Sequence, residues 1–261
     1  EITGVGVDWR NALLVPLLAI VTALIVSAII IAVTDIEALR LWGSNPGAAA
    51  SDTFGTIWNA YKALFNGAFN GLGPWSETLV ASAPLILTGL SVAIGFRAGL
   101  FNIGAEGQML MGGLVATIIG FYFQLPAATH RPFALLGGSV GGAIWGGIPG
   151  LLRAKTGAHE VITTIMMNWI AIRFIDWVLK TSFIQQGGRQ DPVSKDVEST
   201  AMLPRFFSDP TIRVHWGIVL ALLAAVFIFW LLYRTTTGYQ FRAVGYNPDA
   251  AHYAGMRVMW M

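Results

Sequence analysis

Residues 11–34 read NALLVPLLAIVTALIVSAIIIAVT and hold no charged side chain. At ~1.5 Å per residue a helix of this length crosses a ~30 Å hydrocarbon core. The run is too long for the apolar region of a secretory leader, and no small-residue cleavage pattern closes it, so it reads as a spanning helix. The rest of the 261-residue chain agrees with that reading: 55% of its residues are apolar and 11% charged, far from the soluble average. Further apolar runs at 79–96, 107–125, 133–152, 161–179 and 216–233 bring the expected crossings to about six. Each is expected to be helical, because lipid offers backbone polar groups no partner and the alternation of a barrel strand is absent. The fold class that follows is all-α, a polytopic transmembrane bundle forming a single domain over 1–261.

Basic residues orient the bundle. Arg97, Arg153, Lys155, Arg234 and Arg242 sit in the short linkers, whereas the opposite side carries two long segments, 35–78 and 180–215. Basic residues close to helix ends favour the cytoplasm, which places the N-terminus there as well. Within the first long segment, Phe54, Ile57, Trp58, Tyr61, Leu64, Phe65 and Phe69 recur at three and four, so 54–73 is expected to be an amphipathic helix on the outer surface or a re-entrant piece. The stretch 183–213, rich in Gln, Gly, Asp, Pro and Ser, reads as an ordered external loop or a docking surface.

Several chemistries are excluded. A net charge of +2 with scattered basic residues does not suit nucleic acid, and the absence of cysteine removes disulfides, thiol catalysis and thiolate-bound zinc. Gly137, Ser139 and Gly141 match G-x-S-x-G, yet Gly138, Gly142, Gly146 and Gly150 recur every four residues, the pattern of a close helix contact. His130 and His215 are expected in external loops and His159 in a cytoplasmic turn, so Ser139 has no base. His159 and Glu160 begin H-E-x-x-H, but Thr163 stands at the second ligand position. Lys155 and Thr156 resemble a P-loop ending, but Pro149 and Ala154 replace its glycines, so the chain cannot bind ATP in that way and any ATP hydrolysis must come from a partner subunit. No metal or cofactor is expected.

Two polar stretches remain within the apolar chain. GFRAGLFNIGAEGQ at 95–108 sets Arg97, Asn102, Glu106 and Gln108 among four glycines between two spans. It reads either as an ordinary turn or as a broken, partly inserted hairpin of the kind that transporters aim at substrates. In the fifth span Thr163, Thr164 and Asn168 are polar, with Thr164 and Asn168 on one face. Asn102, Glu106, Gln108, Thr163, Thr164 and Asn168 are therefore the pathway candidates, although interhelical hydrogen bonds would also account for the last two. Arg173 and Asp176, three apart, are expected to pair.

The stretch GYNPDAAHYAG at 245–255 spells a short, carefully capped helix. Asn247 suits an N-cap, Pro248 the first helical position, Asp249 the dipole and Gly255 the stop. Ala250, Ala251 and Ala254 give it a small, smooth face. A helix so short is not stable alone and should dock into a partner on the side marked by Arg234 and Arg242.

GFRAGLFNIGAEGQMLMGG at 95–113, GLLRAKTGAHEVITTIMMNWIA at 150–171 and TTTGYQFRAVGYNPDAAHYAGM at 235–256 resemble the permease subunits of bacterial ABC importers for nucleosides. These belong to a wider group that includes ribose, other simple-sugar and branched-chain amino-acid permeases. The resemblance covers the chain from about residue 54 onward, with His159 standing where an asparagine is usual. It implies a multi-pass protein of the bacterial cytoplasmic (inner) membrane that translocates nucleosides by alternating access. It further implies that 245–256 is the coupling helix seated in an ABC ATP-binding subunit, through Arg242, Gly245, Asn247, Pro248, Ala250, Ala251 and Gly255. The implied partners are that ATPase, a second permease subunit, identical or paralogous, an extracytoplasmic substrate-binding lipoprotein and membrane lipid. Because family members continue with further spans, a truncated C-terminus is expected. The alternatives are a ribose or other simple-sugar permease and an ion-coupled secondary transporter. The latter would show an inverted internal repeat, and no convincing one is present.

Overall fold

A computed structural model describes residues 9–256 and 258, with side chains from Leu13 onward. Among these residues the protein is all-α, its only extended pairings being two isolated bridges, Gln185 with Ser194 and Arg205 with His215. The chain divides into two compact units, one up to Trp75 and one from Ser76 onward.

The first unit holds α1 (Trp9–Thr34), α2 (Ile36–Leu41), α3 (Pro46–Phe69) and the start of α4 (Leu72–Arg97). The described side chains of α1 are exposed or half-buried all round, as lipid permits. Asp35 caps α2 and Asn45 caps α3, each through its side-chain oxygen, and Pro46 opens α3 where no N–H is needed. The amphipathic helix expected over 54–73 thus begins eight residues earlier. Tyr61 hydrogen-bonds the carbonyl of Leu24 and so ties α3 to α1.

The second unit continues α4 and adds α5 (Ala105–Tyr122), α6 (Ala127–Thr156), α7 (Glu160–Val178), α8 (Gly217–Arg234), α9 (Thr236–Tyr246) and α10 (Pro248–Tyr253). All six expected spans are helices. Five of the helices are long and apolar enough to cross a membrane; the sixth, α5, is shortened as an apolar run by Glu106 and Gln108 in its first turn.

The α5–α6 contact is made of glycine. A Cβ on Gly112 would lie 2.8 Å from the Gly138 carbonyl oxygen, and one on Gly142 would lie 3.1 Å from that of Gln108. The four-residue glycine rhythm of α6 is therefore a packing face, as expected, with Gly150 beyond its end in open space. At the far end of α6, Gly157 takes a left-handed conformation (φ 68°) and Arg153 pairs with the buried carboxylate of Glu160 across the turn. Glu160 is thus an ion-pair partner rather than a metalloprotease base.

One expectation needs correcting. His130 is not in a loop but inside α6, fully buried, with Nδ1 2.8 Å from Thr200 Oγ1 and Nε2 3.1 Å from the Ile119 carbonyl oxygen. Pro126 stands at the N-cap, just outside the helix, and Pro132 is accommodated within its second turn. His130 joins α5 and α6 to the 180–215 segment, which is ordered. Ser76 Oγ accepts from the backbone N–H groups of Arg213 (2.6 Å) and Val214 (3.1 Å), and Glu198 N–H donates to Gly120 O at 2.9 Å.

Candidate functional site

A cleft of about 820 Å³ opens between α4, α5, α6 and α8, within the size range of small-molecule sites. Its polar lining comes from Thr88 and Ser91 on α4, Gln108 on α5 and Ser139 on α6, and among the described residues no charged side chain lines it. Pro84 on its α4 wall cannot donate to the carbonyl four residues back, so α4 runs on past the cleft with one backbone hydrogen bond missing there.

The polar groups form one network. After α4 ends at Arg97 the chain leaves the helical path, with Gly99 at φ 77°, and re-enters helix at Ala105. This brings Asn102 beside Gln108 in a two-way amide pair: Asn102 Nδ2 donates to Gln108 Oε1 (3.3 Å) and Gln108 Nε2 donates to Asn102 Oδ1 (3.1 Å). Ser91 Oγ donates to the same Gln108 oxygen at 2.9 Å and lies 3.3 Å from Asn102 Nδ2. Asn102 Oδ1 also accepts from Gly104 N–H at 3.1 Å, which fixes the approach to α5.

α7 holds this turn from behind. Asn168 Oδ1 accepts from Gly107 N–H at 2.8 Å, and its Nδ2 donates to the Ile103 carbonyl at 3.0 Å. The acceptor thus serves one of the otherwise orphaned first-turn amides of α5. Thr164, 1% exposed, donates to Glu160 O at 2.7 Å and packs where a Cβ on Gly104 would come within 3.2 Å. Thr163 bonds only its own helix backbone, at Glu160 O (3.1 Å) and His159 O (3.4 Å), and Glu106 is exposed at the first turn of α5.

Of the six pathway candidates, Gln108 lines the cleft and Asn102 pairs with it from the turn behind. Thr164 and Asn168 position the turn, and Thr163 and Glu106 lie outside the network. Thr88 and Ser91 were missed, since isolated hydroxyls in an apolar run usually back-bond to their own helix, as Thr88 does to Pro84 O at 2.9 Å. Ser139 likewise donates to Leu135 O at 2.8 Å; with both His130 nitrogens engaged elsewhere, no base reaches it. Arg173 and Asp176 pair at 3.7 Å on the exposed side of α7.

A second constellation lies at α9 and α10. Thr235 caps α9 by accepting from Gly238 N–H at 3.0 Å. Asn247 caps α10 by accepting from Ala250 N–H at 3.0 Å, with Pro248 at its first position. The helix ends with Met256 N–H on Ala251 O (3.0 Å), Gly255 N–H on His252 O (2.9 Å) and Gly255 at φ 80°, a Schellman closure. The alanine face divides: Ala251 is 4% exposed, packed within the chain, whereas Ala250 and Ala254 face outward. Tyr246 and Tyr253, not anticipated, are 90% and 96% exposed on either side of α10.

Residues 75–261 match the family described as branched-chain amino acid transport system / permease component. The chain belongs to this permease family. It is 39% identical over 248 residues, 94% of its length, to the guanosine ABC transporter permease protein NupP of Bacillus subtilis (strain 168). It is 34% identical over 256 residues, 93% of its length, to the nucleoside ABC transporter permease protein NupB of Lactococcus lactis subsp. cremoris. A glucose ABC transporter permease protein, TsgB13 of Haloferax volcanii, is 35% identical over 210 residues, covering 76% of this chain and 54% of the relative. The chain spans 65% and 63% of the length of the first two relatives. No solved structure matches it significantly. Family and helices together make it a multi-pass membrane permease chain.

Proposed function

We propose that this chain is the membrane-spanning part of an ATP-driven importer of nucleosides in a bacterial cytoplasmic membrane, working by alternating access. The observation that carries the reading is the uncharged cleft with its amide network. A branched-chain amino acid brings a carboxylate and an ammonium, both costly to desolvate without charged partners. A nucleoside brings neutral donors and acceptors, which Gln108, Ser91 and Thr88 can meet, with Asn102 holding the Gln108 amide from behind. The names of the relatives point the same way, and the glucose permease of Haloferax volcanii keeps a simple sugar as the second reading, since sugar hydroxyls suit the same groups.

Energy enters through α10, which docks into a separate ATP-hydrolysing subunit, with a second permease chain and an extracytoplasmic binding protein completing the assembly. Tyr246 and Tyr253 support this role: bare aromatics beside a capped helix are the kind of side chain that anchors interfaces. Arg242, Gly245, Asn247, Pro248 and Gly255 shape the helix and its approach, while Ala250 and Ala254 form the outward contact face and Ala251 seats it on the chain.

Uptake of labelled guanosine, uridine, glucose and leucine into vesicles holding the complete permease, its ATPase and its binding protein tests the reading. ATP-dependent nucleoside uptake is expected, with Gln108→Ala raising the nucleoside KM about tenfold for the lost hydrogen bonds. Leucine as the preferred cargo, or gradient-driven uptake without ATP, would overturn it.

A further inference from the structure

We propose that α9 is a strut carried on two glycine contacts, and that the contact at Gly245 is where movement of α10 reaches the substrate cleft. This rests on the reading of α10 as the helix that docks into the ATPase.

Each end of α9 meets backbone, not side chain. At its start, a Cβ on Gly238 would overlap the Leu231 carbonyl oxygen and lie 2.5 Å from Leu232 Cα, so α9 bears directly on the last turn of α8. At its end, a Cβ on Gly245 would overlap the Arg97 carbonyl oxygen and lie 2.9 Å from both Arg97 C and Gly99 N. The relation is mutual, because a Cβ on Gly99 would come within 3.0 Å of Gly245 Cα. Gly99 is also at φ 77°, where an L side chain is strained. Two glycines therefore face each other at a place where a side chain on either would force the two backbones apart.

The third link is Tyr233, near the end of α8. The guanidinium of Arg97, at the end of α4, lies 5.9 Å from its ring centroid, and that of Arg242, on α9, lies 5.2 Å away. One ring thus joins the ends of α4, α8 and α9 through two cation contacts.

The geometry makes this contact a transmitter. A contact between side chains absorbs displacement by changing rotamer, whereas touching backbones must move together. Gly245 stands two residues before Pro248's cap, Asn247, and the peptide it touches stands three residues before Asn102. The turn is itself folded tightly on α4, since a Cβ on Gly95 would lie 3.1 Å from Asn102 Cβ and from Leu100 O. Tilting α10 therefore shifts the 97–99 peptide and, through it, the Asn102–Gln108–Ser91 network.

The test uses the assembled importer with a cysteine reporter, Ala224→Cys, on the α8 wall of the cleft, in a permease with no other cysteine. Maleimide labelling is measured without nucleotide and with ATP plus vanadate. With Gly245 intact the two rates are expected to differ by about 5-fold or more. Gly245→Ala is expected to erase that difference while the permease still co-purifies with its ATPase and the complex still hydrolyses ATP. A merely structural lesion would lose assembly and hydrolysis together. An undiminished nucleotide response in Gly245→Ala would overturn the proposal. If that variant does not assemble, one glycine inserted between Tyr246 and Asn247 takes its place: it leaves the Gly245 contact and α10 whole but slackens the link between them, it is expected to erase the response, and a full response would overturn the proposal. Absence of any response with Gly245 intact would instead reject the docking role of α10, and the transmitter with it.

Discussion

Asn168 offers the most quantitative check on the architecture around the cleft. Asn168→Ala removes the acceptor of Gly107 N–H and the donor to Ile103 O. Gly107 is buried, so its amide is left without a partner, a loss of about 1–3 kcal/mol. Ile103 is exposed and water replaces the amide there, adding at most ~0.5 kcal/mol. Hydrogen bonds between membrane helices average about 0.6 kcal/mol, which pulls the total to the lower part of this range. A destabilisation of about 1–1.5 kcal/mol is expected, read as a fall in apparent Tm of roughly 2–6 °C for a protein of this size in detergent. Asn168→Asp keeps the acceptor and places negative charge at the α5 N-terminus, so it should lose less, although its second oxygen then faces that of Ile103.

The decisive measurement is a double-mutant cycle with Gly107. A Cβ there would lie 2.9 Å from Asn168 Oδ1 and 3.2 Å from both Asn168 Cα and Trp145 Nε1. In the parent chain Gly107→Ala displaces the Asn168 amide; once residue 168 is alanine, the tightest obstacle is gone. The two substitutions should therefore be less than additive by about 1 kcal/mol. Additivity within ~0.5 kcal/mol would mean that α7 does not hold the turn through this side chain.

Two further predictions concern the 180–215 segment. His130→Leu removes the link to Thr200 and should speed tryptic cleavage after Lys195 and Arg205 about tenfold through local opening, with Thr200→Val giving a smaller effect; an unchanged rate would show that His130 does not hold the segment. Asp209 accepts from Thr211 N–H at 2.9 Å and from its hydroxyl at 2.7 Å, the first being the larger cause that holds its carboxyl below the usual range. A depressed carboxyl stabilises the turn above the unfolded value, about pH 3.9, and loses that contribution as pH falls through the lower folded value. Hydrogen exchange at Thr211 should thus stay protected from neutral pH down to about pH 4, and protection lost near pH 6 would refute the turn.

The spans were legible because lipid enforces the apolar run: the expected 161–179 is α7 at Glu160–Val178, and 216–233 is α8 at Gly217–Arg234. α10 was legible for a different reason, since Asn247, Pro248 and Gly255 each act locally on the backbone. α9 was not. TTGYQFRAVGY has low helix propensity and no clear apolar stripe, and what fixes it is tertiary, the bearing of Gly238 on α8 and of Gly245 on the turn after α4. His130 was misplaced because two prolines nearby look like a break. Thr164 and Asn168 were rightly put on one face, but only the fold shows that this face meets Gly104 and Gly107.

The chemistry of the cleft also bears on release. Asn102 and Gln108 satisfy each other when no substrate is present, so an arriving donor or acceptor exchanges one hydrogen bond for another. The net gain per bond is then at the lower end of the usual ~0.5–1.5 kcal/mol. A charged pair in the same position would bind an opposite charge about twice as strongly per hydrogen bond. Transport needs a site that is favourable enough to fill and weak enough to empty. A self-satisfied amide pair would meet that need for the neutral cargo proposed above, and under the transmitter proposal its attachment to the Gly99 turn would let α9 and α10 change the spacing of the two amides. Parting them by even 1 Å would take the 3.1 Å and 3.3 Å bonds beyond hydrogen-bonding distance and remake the site without any charge having to move through lipid.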